Sequence, residues 1–195
     1  MVLKIFTTLV AALTLSMSSV CHAETPSPKA EIQTTIDKII STVQANPGDA
    51  AKPARREKLR EIINPKFDFE EMSRRSLGSN WTEITPTEQQ DFTTVFSELL
   101  ARTYLSKIET VKPGMVKVES EQVEGAKAVV KTVVLSQGDT FPIDYKMMYR
   151  DNGWRVYDVV IENIGLVANY RNEFSGIIRK DKFSGLMEKL RAKVK

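Results

Sequence analysis

Cysteine and histidine are almost absent from this sequence. Its 195 residues contain one of each, Cys21 and His22, both near the amino terminus. Beyond residue 22 the chain therefore has no thiol nucleophile, no disulfide, no imidazole base and none of the commonest transition-metal ligands. This excludes most hydrolase and zinc-site mechanisms, and we expect neither a metal, a cofactor nor catalytic residues.

Long hydrophobic runs are also missing. The apolar stretch 5–15, which follows Lys4, is about half the length that a transmembrane helix needs. A basic residue, a short apolar run and the small-residue end 21–23 (CHA) are typical of a secretory signal peptide. We therefore expect residues 1–23 to be removed and residues 24–195 to be exported as one domain.

Cys21 raises the alternative of a lipoprotein. Val20 stands where glycine, alanine or serine normally precedes a lipid-modified cysteine. Simple cleavage after Ala23 is therefore the favoured interpretation.

Charge of one sign is not in excess. The formal net charge is +3, from 28 basic and 25 acidic residues, and the two signs are interspersed along the chain. Nucleic-acid binding needs a basic stripe or patch. The sequence therefore indicates no nucleic-acid partner.

The first half of the exported chain predicts helices. Ser27 is a candidate N-cap for a helix that ends at 46–48 (NPG), and Asp68 for a short helix that ends at Gly78. The strongest signal is 85–88 (TPTE), because it combines an N-cap threonine, a proline at the first helical position and a glutamate at the third. A long helix with a wide apolar stripe should follow: Phe92, Val95, Phe96, Leu99, Leu100, Tyr104, Leu105 and Ile108.

The second half changes to strands. The extended segments 115–123, 127–136, 140–150 and 154–161 are separated by short turns, which predicts a four-stranded antiparallel meander. Two helical stripes then follow, in 166–178 and 183–194. The predicted class is α+β, with helices packed against one antiparallel sheet.

Strand alternation divides the side chains of the last two strands between two faces. On this pattern Tyr145 and its apolar neighbours share one face with Tyr157, Val159 and Ile161. Asp158 should then lie on the other face with Trp154, where a hydrogen bond to a turn or a helix end is its expected role.

Two segments resemble the MlaC / toluene-tolerance family of periplasmic phospholipid-binding proteins. The first is 67–72 (FDFEEM), followed by Leu77, Gly78 and Trp81. The second is 154–174 (WRVYDVVIENIGLVANYRNEF), which departs from the family pattern within a turn, at Asn163 and Gly165, where we expect glycine and serine. The order of elements also matches, so the resemblance covers nearly the whole exported chain.

The resemblance implies a sheet and helices that enclose a deep apolar pocket for lipid tails. It also implies a periplasmic carrier that shuttles phospholipid between an inner-membrane ABC transporter complex and an outer-membrane lipoprotein complex, which would maintain outer-membrane lipid asymmetry. Arg171 is a candidate contact for the phosphate head group. The residues that we expect at the lipid site are Trp81, Phe92, Phe96, Leu99, Leu100, Tyr104, Val133, Leu135, Tyr145, Met147, Tyr149, Tyr157, Val159, Ile161, Leu166, Val167, Tyr170 and Arg171.

Three other functions stay open at this stage. The same fold can carry a hopanoid or another polycyclic lipid in a wider and more rigid pocket. A small α+β enzyme is a second alternative, with Asp158 or Asp144 as its base. A pure adaptor protein is a third, because apolar stripes are also what an ordinary filled core produces.

Overall fold

A computed structural model describes residues 26–136 and 138–195. The predicted signal peptide lies outside the described residues. Five α-helices and five β-strands lie within them. In this part of the chain, none of the helices combines the length and the hydropathy of a membrane span.

Four helices precede the sheet, and side-chain capping defines where three of them begin. Ser27 accepts a hydrogen bond from the backbone of Ala30, and Thr85 forms a complete capping box with Glu88, as predicted. The N-cap of the third helix is Asp68, which accepts from the backbone N–H of Glu71 at 2.9 Å. The helices are α1 (Pro28–Ala45), α2 (Lys52–Ile63), α3 (Phe69–Leu77) and α4 (Pro86–Ile108).

One antiparallel sheet follows, with its strands in chain order. Its strands are β1 (Val116–Glu124), β2 (Lys127–Ser136), β3 (Asp139–Arg150), β4 (Gly153–Ile161) and β5 (Ile164–Gly165). The α+β class is confirmed, and four of these strands are the predicted ones. The sheet has five strands rather than four, because the chain turns back at 162–163 and pairs two more residues with the end of β4.

A β-bulge in β4 changes which residues share a face. Met147 pairs with Val156, whereas Lys146 pairs with Asp158, so Tyr157 is the extra residue between them. Trp154 and Val156 therefore join Val159 and Ile161 on one face. The predicted placement of Tyr157 on this face was wrong, and so was that of Asp158 beside Trp154, because simple alternation fails across a bulge.

The buried apolar side chains form two clusters. The helix cluster joins α3, α4 and the long helix that follows the sheet, and its centre includes Phe92, Phe96 and Phe174. The sheet cluster packs Ile32 and Ile36 of α1 against the face that carries Trp154. The helix cluster and the sheet cluster meet near Phe67, which pairs with Val156 as an isolated parallel bridge.

The last helix, α5 (Leu166–Val194), combines both of the predicted C-terminal stripes. Lys182 interrupts it with non-helical dihedral angles, φ 60° and ψ −179°. Two helical segments, Leu166–Asp181 and Phe183–Val194, therefore meet at a kink. Side chains of both segments belong to the helix cluster.

Candidate lipid-binding site

The apolar seam between the two clusters is the candidate site. We define the seam as Phe67, Ile143, Tyr145, Ile161 and Leu166, five half-buried side chains that pack against the sheet cluster. Phe67 and Leu166 also pack against the helix cluster. The seam therefore presents incompletely covered apolar surface where the sheet meets the helices.

Tyr145 is the most informative residue of the seam. Burial raises the pKa of its phenol, and a hydrogen bond with the Thr132 side chain opposes that rise. The residue nevertheless keeps accessible surface and is only half-buried. Tyr145 therefore combines a desolvated phenol with residue surface that is still accessible at the seam.

A second pair of phenols lies in the helix cluster. Burial raises the pKa of Tyr170 to about 12, and the neighbouring Tyr104 adds to this rise. Burial also raises the pKa of Tyr104, and the neighbouring Tyr170 side chain opposes that rise. Both hydroxyls therefore stay protonated at neutral pH and provide polar groups within apolar surroundings.

The structure brings most of the predicted site residues into the two clusters. Eight of them lie in or against the helix cluster: Trp81, Phe92, Phe96, Leu99, Leu100, Tyr104, Val167 and Tyr170. Five lie in or against the sheet cluster: Tyr145, Met147, Tyr149, Val159 and Ile161. Leu166 packs against both.

Three predicted residues lie elsewhere, contrary to expectation. Val133 and Leu135 alternate with Thr132 and Val134 on β2, so they lie on the opposite face of the sheet from the seam. Leu135 is 47% exposed. Tyr157 is the bulge residue, and its ring lies under the Arg75 guanidinium at 4.4 Å.

Arg171 is exposed on the first segment of α5, outside the seam. Its Nε donates a hydrogen bond to the backbone carbonyl of Arg75 at 2.7 Å. Its side chain also passes over Gly78. Arg171 therefore links α5 to the end of α3 through a backbone carbonyl, at an exposed position.

Asp158 has a structural role in this geometry. Its Oδ1 accepts from the backbone N–H of Val167 at 3.1 Å, and its Oδ2 accepts from Lys146 Nζ at 3.2 Å. The carboxylate thus binds the first turn of α5, the helix-end role that the sequence predicted. Asp144 pairs with Lys131 and Val160 in the strand register. Among the described residues, no three acidic or other metal-ligating side chains gather as a metal site requires.

Sequence reasoning missed three residues of the site: Phe67, Ile143 and Thr132. Phe67 packs against both clusters, and it opens the family-like segment 67–72 that pointed to it. Thr132 is 1% exposed and donates to the backbone carbonyl of Ile143 at 2.8 Å. Its place beside Tyr145 follows from the alternation of β2 and the register with β3.

Two open grooves lie elsewhere on the surface. One, of about 650 Å³, runs along residues 181–192 of α5, and the other, of about 270 Å³, lies between α1 and residues 113–116. Neither is lined by a residue of the predicted set.

Fold and seam together define an α+β protein in which a helix layer and one antiparallel sheet present apolar surface to each other. The model of the MlaC protein family matches residues 33–192, so the chain belongs to the MlaC family.

This chain is also similar to one relative and to one solved structure. The chain is 23% identical to the intermembrane phospholipid transport system binding protein MlaC of Haemophilus influenzae, over 96% of this chain and 91% of that one. It is also similar to the structure of a phospholipid-binding protein from Ralstonia solanacearum in complex with a phospholipid. That match has a TM-score of 0.78 and 27% identity, and it covers 87% of this chain and 97% of the other.

Proposed function

We propose that this chain is a periplasmic phospholipid carrier without a catalytic step. The observation that carries the proposal is the similarity, over nearly all of its length, to a phospholipid-binding protein whose structure contains the lipid. The seam around Tyr145 supports it, because half-buried apolar side chains at the junction of two layers are a surface on which acyl chains gain burial.

We further propose that the carrier moves phospholipid between an inner-membrane ABC transporter complex and an outer-membrane lipoprotein complex, and so maintains outer-membrane lipid asymmetry. The name of the Haemophilus influenzae relative, an intermembrane transport binding protein, supports this. The predicted signal peptide 1–23 agrees with a protein that works between two membranes.

The energetics of acyl-chain burial suit a carrier that transfers its lipid during contact. Two chains of roughly 15 methylenes each, at about 0.8 kcal/mol per methylene, gain on the order of 20 kcal/mol gross when they leave water. Spontaneous release into water would therefore be very slow. A partner must open the site or receive the chains directly.

Native mass spectrometry of the protein purified from the periplasm tests the function first. The expected result is a stoichiometric adduct that organic extraction identifies as phospholipid. A polycyclic lipid in the extract would replace the phospholipid assignment with the hopanoid alternative. Protein that is repeatedly bare, and that takes up no lipid from phosphatidylglycerol or phosphatidylethanolamine vesicles, would contradict the carrier function.

A further inference from the structure

A backbone irregularity lies in the middle of α5. Lys182 has φ 60° and ψ −179°, a combination that is essentially restricted to glycine because it crowds Cβ. The kink is also tight, since a Cβ on Gly185 would lie 2.4 Å from Cβ of Asp181. A lysine is therefore held in a strained conformation, with helix on both sides.

Packing of the C-terminal segment 183–194 keeps Lys182 in this strained conformation. Leu186 and Leu190 are fully buried in the helix cluster, and Met187 is nearly so. The Phe183 ring lies 6.2 Å from that of Phe92, which is itself fully buried. Straightening α5 at Lys182 would relieve the strain, but it would also lift these side chains from α4 and uncover aromatic surface.

The polar contacts of this segment are weak. Arg191 pairs with Asp91 of α4, and Lys193 pairs with Glu173 at 3.1 Å. The side chains of both pairs are 38–55% exposed, so each pair contributes little to stability. The docked segment therefore depends on apolar burial, which acyl chains in the same place could replace.

We propose that Phe183–Val194 is a hinged strap that turns about Lys182 and opens the helix cluster to acyl chains. This inference rests on the proposed function and adds the helix cluster, which packs against Phe67 and Leu166 of the seam, to the apolar surface that lipid can occupy. Backbone strain at the hinge brings the docked and lifted states closer in free energy, and a lipid that binds the lifted state shifts the balance towards it.

The phospholipid-transfer rates of variants at Lys182 test the strap proposal. Lys182→Gly removes the strain from the docked state and disfavours a straight helix, so transfer of a fluorescent phospholipid to acceptor vesicles should slow about tenfold. Lys182→Ala keeps the Cβ and the strain, so it should transfer at the original rate. If Lys182→Gly raises thermal stability but leaves transfer unchanged, the strain is only structural and the strap proposal is wrong.

Chemical locking gives a second test in the full chain carrying Cys21→Ser, which leaves only introduced thiols. Asp91→Cys with Arg191→Cys, joined by a bis-maleimide, ties the strap to α4. Arg60→Cys with Glu98→Cys is the matched control, because it joins α2 to α4 at another ion pair, of 2.7 Å. Cross-linking should slow phospholipid transfer only in the first pair.

The two hypotheses fail in different ways in this assay. If the uncross-linked proteins take up and transfer phospholipid, but the tied strap transfers as fast as the control, the strap proposal is wrong and the carrier function stands. If no variant takes up phospholipid, before or after cross-linking, both the carrier function and the strap proposal are wrong.

Discussion

Asp158 of β4 accepts a hydrogen bond from the backbone N–H of Val167, and so fixes the first turn of α5 against the sheet. The residue is 7% exposed, and its second oxygen contacts Lys146. Because the bulge at Tyr157 turns Asp158 towards α5, the bulge and the helix start form one structural unit. The seam residue Leu166 lies immediately beside this bond.

Asp158→Ala should lower the free energy of unfolding by about 2 kcal/mol, because it leaves a helix-terminal N–H and a lysine without their acceptor. Asp158→Asn keeps an acceptor oxygen and should cost less. Urea denaturation measures both. An Asp158→Asn protein of unchanged stability that has lost a catalytic turnover of the original chain would instead support the enzyme alternative.

Leu166→Trp should reduce the phospholipid carried per protein molecule, because Leu166 contacts both clusters and a larger side chain would fill the seam. Leu135→Trp is the matched control. It adds the same ring at a 47% exposed position on the opposite face of the sheet. Native mass spectrometry counts the bound lipid, and thermal melting checks that both proteins are folded. Equal lipid occupancy in the two variants would exclude the seam as the site.

The sequence predicts most of this fold because its local signals agree with the tertiary structure. The Thr85–Glu88 capping box defines the start of α4, and turn residues separate the strands close to their observed ends. These features depend on neighbours within about four residues, which the sequence displays directly.

Features that arise from packing could not be predicted in the same way. No glycine or proline marks the bulge at Tyr157, so simple alternation placed Asp158 on the wrong face. The kink at Lys182 likewise carries a residue that ordinarily favours helix, and the docked apolar side chains of the C-terminal segment hold it in place. Val133 and Leu135 were assigned to the site for their apolar character, although the register of β2 turns them away from it.

Ser73 and Ser76 of α3 have buried hydroxyls for which the described residues provide no hydrogen-bond partner. Ser73→Ala and Ser76→Ala should each leave the free energy of unfolding unchanged or raise it by up to about 1 kcal/mol, because alanine removes an unsatisfied polar group and favours helix. Ser27→Ala is the contrasting control, since Ser27 caps α1 and its loss should cost about 1 kcal/mol. Destabilisation by the Ser73 or Ser76 change would show that the hydroxyl has a partner, such as a buried water.

Glu71 lies at the centre of an arginine pair on α3 and should make folding sensitive to acid. Hydrogen bonds from Arg74 and Arg75, with Arg74 the larger cause, together lower the pKa of Glu71 to about 2, although burial opposes the shift. Both arginines contact Oε1 of Glu71 at 2.7 Å, and Glu71 is only 6% exposed, so its carboxylate is a buried partner of both guanidinium groups.

Because the folded state binds the Glu71 proton more weakly than the unfolded state does, the carboxylate contributes stability above the ordinary glutamate pKa. That contribution is lost as the pH falls from about 4.5 towards 2. Glu71→Gln should therefore lower the free energy of unfolding at pH 7 by on the order of 2 kcal/mol, after allowance for solvent screening, and the difference from the original chain should shrink across this window. Glu70→Gln, at the exposed neighbouring position, is the control and should change stability little at any pH. Denaturant titrations at pH 7, 4 and 3 measure the difference, and a Glu71→Gln effect that stays constant with pH would mean that packing rather than charge stabilises this end of α3.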